Sequence, residues 1–530
     1  MRSLAPMRAD ALRINSARAA SKSSAERLPD KTALIFADWT FTYRQLEYLT
    51  NRTANGLKAL GVKKGDRVSL CAQNSAEWVQ SYIGIAKAGA VINPVNAMLT
   101  ADELAYVVKD CGAKVLITTS ERAKAVSDLR KDGSLDHVIV LSGVPPEGAI
   151  SFTDLLAEQA DSVEAPGNAP EELSTICYTS GTTGFPKGAM LSHESVVLSA
   201  AMTAAMNVRT EHDIQFTALP LAHVYGTVVM NLSFMLGLTF VMLERFDTRQ
   251  ALESIPRHKV TIMDGVPTMY LYMLSHPDFG NYDLSSLRTA VVGGQAMPPA
   301  KAVEWLERVG TPILELWGMT ELAGPGIMQH SYVDNRLGSV GILMPFMHGR
   351  IVDRADPAKT LPAGEVGELM VKGPYTMLGY YGNEKATKEA IEPDGWLHSG
   401  DLCKTDADGY FYIVDRKKDM ILTAGYNVYP AEIERVIISH PAVAMVGVGS
   451  RPDPQKGEIP KAYIVLKNGA TADANGIIEF CRNHLAAYKV PREVQFVPAL
   501  PTTSSGKIMR RELKTLDSDT EAKQEVEAAV

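Results

Sequence analysis

From Leu34 onward the chain repeats one pattern: a short apolar run stops at a turn and is followed by a stretch with helical spacing. The runs lie at 67–72, 90–94, 114–119, 137–141 and 175–178. Strands that alternate with helices pack as parallel sheets with helices on their faces, so the pattern predicts an α/β fold of parallel-rich sheets. Three later runs, 260–266, 289–292 and 312–316, stop at Pro267, at Gly293-Gly294-Gln295 and at Trp317-Gly318-Met319-Thr320-Glu321. Sheets of this kind bind ligands outside the carboxyl ends of their strands. These three turns are therefore expected to face one cleft, opposite the turn that follows 175–178.

That last turn carries the most chemistry. Residues 178–195 read YTSGTTGFPKGAMLSHES. The hydroxyls of Thr179, Ser180, Thr182 and Thr183 can donate to phosphate oxygens, Gly181 and Gly184 let backbone N–H groups come close, and Lys187 adds a mobile positive charge. Ser192-His193-Glu194 reads as a helix start, which places the loop at a strand-to-helix turn, where anions are favoured. It is not a Walker A loop, because Lys187 is followed by Gly188 where Ser or Thr would be required. A different nucleotide chemistry is implied.

With 530 residues, 46% of them hydrophobic, the chain can build several domains of about 100–200 residues each. A net charge of -8 without a long basic run argues against nucleic acid as a partner. Cys71, Cys111, Cys177, Cys403 and Cys481 are scattered and form no C-x-x-C pair, so neither a disulfide framework nor a zinc site is expected. The uncharged stretch 223–243 is long enough to span a membrane but holds Asn231, Ser233 and Gly237. It reads as a buried helix followed by a strand at 239–243. No transmembrane segment is expected; a peripheral membrane contact and a homodimer are compatible with the sequence. Residues 1–30 share the Arg and Ser content of mitochondrial transit peptides, but Asp10 and Glu26 favour an ordinary first helix ending before Pro29. A cytoplasmic location is expected, with the mitochondrial matrix as the alternative.

Past residue 335 the segments become shorter and Gly-punctuated, at Gly364, Gly367, Gly373, Gly379 and Gly395, which predicts a small β-barrel-like subdomain. After 410–414 the charged run Asp415-Arg416-Lys417-Lys418-Asp419 interrupts the pattern. Beyond it, helices at 431–439 and 477–485 and strands at 461–466 and 493–497 predict a compact α+β domain. The expected division is 1–414, a hinge at 415–418, and a mobile 419–530.

Several separated strings resemble one family, the adenylate-forming acyl-CoA synthetases, which include relatives of firefly luciferase and nonribosomal-peptide adenylation domains. Besides the hydroxyl-rich loop these are Pro220-Leu221-Ala222-His223, Trp317 to Glu321, Trp396-Leu397-His398-Ser399-Gly400-Asp401, Asp415 to Asp419 with Gly425-Tyr426-Asn427-Val428-Tyr429-Pro430, and Pro501-Thr502-Thr503-Ser504-Ser505-Gly506-Lys507. The resemblance implies a two-step reaction. A carboxylate attacks the α-phosphate of ATP, releasing pyrophosphate, and coenzyme A then attacks the acyl-adenylate.

It also implies roles. Lys507 resembles the family's adenylation lysine. Glu321 resembles its Mg²⁺ ligand, with Thr179 beside it, and Thr320 would hydrogen-bond the phosphates. Trp317 stands where the family commonly has Tyr, which keeps adenine stacking and loses a hydroxyl. Gly294, Gln295 and Gly318 would complete the nucleotide site, and Asp401 with Arg416 would take the ribose. Lys418 falls at the family's hinge position, and Gly425 and Tyr426 would face the cleft when CoA binds. His223 resembles a gate between carboxylate and CoA tunnel. Tyr225, Gly226, Val266, Gly293 and Gly294 would line the acyl pocket, where no Arg or Lys is evident and Asp264 would repel a second carboxylate. The strings at 265–270 and 414–421 look most like medium- and long-chain fatty acid CoA ligases. Aromatic or hydroxycinnamic acids are the alternative substrate. A luciferase-like oxygenase and a carrier-linked adenylation enzyme are the alternative classes.

Overall fold

The computed structural model describes residues 17–164, 166–179, 186–332, 336–423, 426–503 and 506–517, with side chains from residue 22 onward. Ser180, Gly181, Thr182, Thr183 and Gly184 of the hydroxyl-rich loop, and Gly425, lie outside the described residues.

The expected strands form two large sheets. In the first, Leu173–Thr179, Val91–Pro94, Arg67–Cys71, Ala113–Thr118, His137–Val140 and Ile150–Ser151 run parallel in that spatial order. In the second, Ile313–Met319, Thr289–Val292, Ile262–Gly265, Ile214–Thr217, Thr239–Met242 and Thr32–Phe36 do the same, with antiparallel strands added at both edges. Their central strands are buried along their whole length, as continuous apolar runs require when helices cover both faces.

The uncharged stretch is the buried helix Val224–Leu236. It starts at His223, whose side chain accepts from the Tyr225 N–H, and ends at Gly237 in the left-handed region, φ 83°. The strand Thr239–Met242 follows directly. Among the described residues no helix is long and apolar enough to cross a membrane.

One local expectation is corrected. The hydroxyl-rich loop is not at a strand-to-helix turn but joins a hairpin, in which Lys187–Ser192 returns antiparallel to Leu173–Thr179 and pairs Thr179 with Lys187. Only then does Ser192 cap the helix His193–Met206, its side chain accepting from the Ser195 N–H. The helix start was legible; the short strand before it lacks clean alternation and left no periodic trace.

The Gly-punctuated region forms a four-stranded antiparallel sheet in the order His348–Val352, Gly367–Lys372, Leu397–Thr405, Phe411–Arg416. Beyond it, Val443–Asp453 and Gly457–Leu466 make a long hairpin, joined by Ile421–Thr423, Tyr426–Val428 and Glu493–Phe496. The helices Pro430–Ile437 and Ala474–Arg482 cover this sheet with Ile433, Ile437, Ile477 and Cys481, which belong to a core cluster separate from the large one.

Candidate active site

Asp401 and Arg416 are fifteen positions apart in sequence yet directly opposite each other on neighbouring strands, so the antiparallel register brings both predicted ribose residues to one place. The Arg416 Nε lies 3.6 Å from the Asp401 Oδ1. The other carboxylate oxygen, Oδ2, accepts from the Trp317 indole N–H at 2.7 Å. Burial pushes the Asp401 carboxyl up, opposed by the Arg416 charge and the indole bond. Trp317 sits at a bulge at the end of its strand, where the pairing register with Gly324–Met328 shifts. At that bulge a β-carbon on Gly318 would lie 2.3 Å from the Gly324 carbonyl oxygen, so close approach of two backbones requires the glycine.

Lys507 enters this cleft from the C-terminal unit. A tight turn holds it: the Thr503 N–H donates to the Lys507 carbonyl at 2.7 Å and the Lys507 N–H to the Thr503 hydroxyl at 3.1 Å. The turn docks through the Thr268 hydroxyl, which donates to the Gly506 carbonyl at 3.2 Å. Its side chain passes over Gly294, where a β-carbon would lie 2.9 Å from the Lys507 Cε. Burial, then the Arg416 charge, lowers the Lys507 ammonium to about 8, with Asp401 opposing.

Glu321 is buried at the short turn Thr320–Leu322, with Thr320 half-buried beside it. Its Oε1 accepts from the Tyr380 hydroxyl at 2.7 Å, and burial raises its carboxyl. The Lys187 ammonium lies over the Tyr380 ring, 5.1 Å from its centre. Glu321 forms no ion pair among the described residues. A buried carboxylate with no ion pair among the described residues fits a hard divalent cation, which needs only one or two protein oxygens when phosphates supply others. Thr179 and Lys187 face each other at the mouth of the hairpin.

On the acyl side the geometry gives Gly226 a packing role and corrects one expectation. Gly226 serves packing: a β-carbon there would lie 2.3 Å from the Pro220 carbonyl oxygen, so the glycine lets the helix Val224–Leu236 close onto the preceding turn. Asp264 does not present free negative charge. It is fully buried and paired with the equally buried Arg209 at 2.9 Å, and it also accepts from the Gln215 amide at 2.9 Å and the Tyr225 hydroxyl at 3.0 Å. Arg209, a cation that sequence reading missed, thus neutralises Asp264 inside the core.

Tyr225 and Leu316 approach Gly293, where a β-carbon would lie 3.2 Å from the Tyr225 Cε1 and 2.4 Å from the Leu316 Cδ1. Val266 flanks Gly294 and Gly506. His223 is held near 4, by burial and then by the Lys507 charge, so its imidazole is neutral at pH 7, with Nδ1 accepting from the Tyr225 N–H at 3.3 Å. Gln295 is half-buried on the same turn as Gly293 and Gly294.

The residues expected at the hinge follow Arg416 directly in sequence. Lys417 pairs with buried Glu368 at 2.9 Å, Lys418 is exposed, and Tyr426 is exposed and stacked on Tyr488 with ring centres 4.7 Å apart. Arg510, also missed from sequence, ties Asp415 at 2.6 Å, Asp419 at 3.4 Å and Glu434 at 2.6 Å. Tyr380 and Arg209 carried no motif; Arg510 follows Lys507 closely enough that its charge could have been weighed.

Two α/β sheets around a cleft, a carboxylate–guanidinium pair on one lip and a lysine from a small C-terminal unit reaching over it define an adenylate-forming enzyme. Comparison with known proteins narrows this. The chain belongs to the AMP-binding enzyme family, whose model matches residues 21–381, followed by the AMP-binding enzyme C-terminal domain at 432–507. It is 38% identical over 498 residues to a feruloyl-CoA synthase from an Amycolatopsis species, covering 92% of this chain and 96% of the relative. It is 34% identical over 527 residues to a long-chain-fatty-acid–CoA ligase of Bacillus subtilis, covering 94% and 93%. The crystal structure of the anthranilate CoA ligase AuaEII with anthranoyl-AMP superposes with a TM-score of 0.90 at 34% identity, covering 96% and 98%. The protein is an adenylate-forming acyl-CoA ligase, an acid–thiol ligase that uses ATP and CoA.

Proposed function

We propose that the acid is an aromatic monocarboxylate of the benzoate or hydroxycinnamate kind. Its carboxylate oxygen bonds to the α-phosphorus of ATP as the bond to the bridging oxygen breaks and pyrophosphate leaves. The CoA thiol then gives up its proton and bonds to the acyl carbon, displacing AMP. The observation that carries the adenylation step is the placement of Lys507, half-buried beside Asp401 and Arg416 and passing over Gly294. An ammonium fixed there stabilises the negative charge that grows on the α-phosphate, a type of contribution worth about 10²–10³-fold in rate.

The remaining roles are those that the family resemblance implies. Trp317 stacks on adenine, with Gly294, Gln295 and Gly318 beside it, and Asp401 accepts from the ribose hydroxyls near Arg416. Thr179, Ser180, Gly181, Thr182, Thr183, Gly184 and Lys187 hold the β- and γ-phosphates, with Thr320. Glu321, with Thr179, would hold Mg²⁺, which supplies charge neutralisation on the phosphates. Neutral His223 stands at the junction of carboxylate and thiol. We place the hinge at 415–418, between 1–414 and 419–530; Lys418 absorbs the rotation that withdraws Lys507 and brings Gly425 and Tyr426 to the cleft.

The aromatic reading rests on Tyr225. Its hydroxyl is held by Asp264, so its ring forms a fixed flat wall beside Gly293 and Leu316, suited to a planar acid. The feruloyl and anthranilate relatives support it. A medium- or long-chain fatty acid is the second reading, supported by the Bacillus relative and by apolar Val266 and Leu316.

A panel of acids from C2 to C18 with benzoates and hydroxycinnamates, followed by pyrophosphate release and then CoA-thioester formation, tests both. The highest kcat/KM is expected for a planar aromatic acid. A maximum at C12–C18 would replace it with the fatty acid reading, and light instead of thioester would indicate an oxygenase.

A further inference from the structure

We propose that Trp317 is a positioning residue for ribose recognition: its indole N–H aims Asp401, so that selection for the ribose hydroxyls depends on residue 317. The inference rests on the nucleotide site proposed above and goes beyond the stacking expected of this aromatic. The Trp317 Nε1 donates to the Asp401 Oδ2 at 2.7 Å, and Trp317 is only 7% exposed. A short N–H···O⁻ bond of this kind is directional, and inside a protein it is stronger than in water.

The bond leaves the carboxylate divided in function. Oδ2 is engaged by the indole, whereas the nearest cation to Oδ1 is the Arg416 Nε at 3.6 Å, beyond hydrogen-bonding distance. Oδ1 therefore keeps acceptor capacity for a ribose hydroxyl, in an orientation set by the bond to Oδ2. The indole itself is backed by the chain: a β-carbon on Gly326 would lie 3.1 Å from the Trp317 Cζ3 and 3.6 Å from its Cε3. Gly326 thus makes room for the ring, and burial of the ring keeps the N–H aimed. Donation to Oδ2 also stabilises the ionised carboxylate, the form that accepts from both hydroxyls.

A stacking residue would serve ATP and deoxy-ATP alike, whereas an aiming residue serves only the nucleotide whose hydroxyl meets Asp401. The experiment compares ATP with 3′-deoxy-ATP and 2′-deoxy-ATP in the pyrophosphate-release assay, for the wild-type enzyme and for Trp317→Phe, which keeps an aromatic face and lacks the N–H. The wild-type KM should be higher for at least one deoxynucleotide. In Trp317→Phe the KM for ATP should rise about tenfold or more, as for loss of a hydrogen bond to a charged group, while that deoxynucleotide changes far less. The selectivity ratio should therefore fall towards one. Replacing Trp317 by 3-benzothienylalanine, nearly the same shape with sulfur for N–H, should lower the ratio equally and serves if the Phe variant does not fold.

Trp317→His, whose ring can still donate, should recover part of the ratio. An equal rise in KM for all three nucleotides, or a wild-type ratio near one, overturns the inference while leaving the ligase assignment standing. Absence of ATP turnover by the wild-type enzyme with every acid of the panel would instead remove the reading on which it rests.

Discussion

Lys507 shows how one residue's surroundings set the pH range of a reaction. Its ammonium is lowered to about 8, first by burial and then by Arg416. A lysine contributes its charge below its pKa, so adenylation should fall as pH rises through about 8, roughly tenfold per pH unit. The limb belongs in kcat/KM for ATP, which reports the free enzyme; bound phosphates raise the pKa, so the same limb in kcat should lie higher. A flat kcat/KM from pH 7 to 10 would contradict the assignment. Gly294 tests the same lysine sterically. It lies at φ +89°, with the Lys507 Cε only 2.9 Å from the place of a β-carbon. Gly294→Ala should displace the ammonium and lower pyrophosphate release by about 10²-fold, the scale of one lost transition-state donor, while thioester formation from supplied acyl-AMP stays near wild type. Equal loss in both half-reactions would show general damage to the cleft instead.

At the scale of elements, the strands Ile214–Thr217 and Ile262–Gly265 carry a buried polar group each, Gln215 and Asp264, joined by Arg209 from the turn before them. Removing one charge of such a pair strands the other in low dielectric, at a cost of about 3–5 kcal/mol. Arg209→Met should therefore lower the thermal midpoint strongly, and Arg209→Met with Asp264→Leu should recover much of it. A single variant no less stable than the double would mean that the pair is not the determinant. The wall at Tyr225 should loosen in both, because the hydroxyl loses Asp264 or its fixed partner, and selectivity among acids should broaden.

These elements also show what sequence could reveal. Parallel strands were legible because burial on both faces writes a continuous apolar run, and their turn motifs placed Trp317, Gly294 and Glu321 at strand ends. Asp401 and Arg416 were legible as motif residues, but their cross-strand register was not. The pairs Arg209–Asp264 and Glu321–Tyr380 join residues far apart in the chain and leave no periodic signal. The strand Lys187–Ser192 was hidden for a different reason: its pattern is too short and irregular to outweigh the helix cap that follows it.

For the whole molecule, the two-step reading requires that the C-terminal unit hold one position while the adenylate forms and leave it before the thiol attacks. Asp415 lies on the last strand of the four-stranded sheet, paired with Leu402, yet its carboxylate accepts from Arg510 at 2.6 Å and from the Ala431 N–H at 2.8 Å, both in the C-terminal unit. Arg510 is held in turn by Glu434 of the same unit. If Lys418 is the hinge, these bonds cross it and act as a latch that favours the pose in which Lys507 reaches the cleft. Asp415→Ala removes the crossing bonds and leaves Arg510–Glu434 intact. Loss of a charge-assisted hydrogen bond is worth about 1.5–3 kcal/mol, so the balance between the two poses should shift about ten- to a hundredfold away from adenylation. Pyrophosphate release should slow, and thioester formation from supplied acyl-AMP should be unchanged or faster, as measured by single-turnover assays of each half-reaction. Equal slowing of both would mean that Asp415 supports the cleft and not the pose. Unchanged rates in both would place the hinge elsewhere than 415–418.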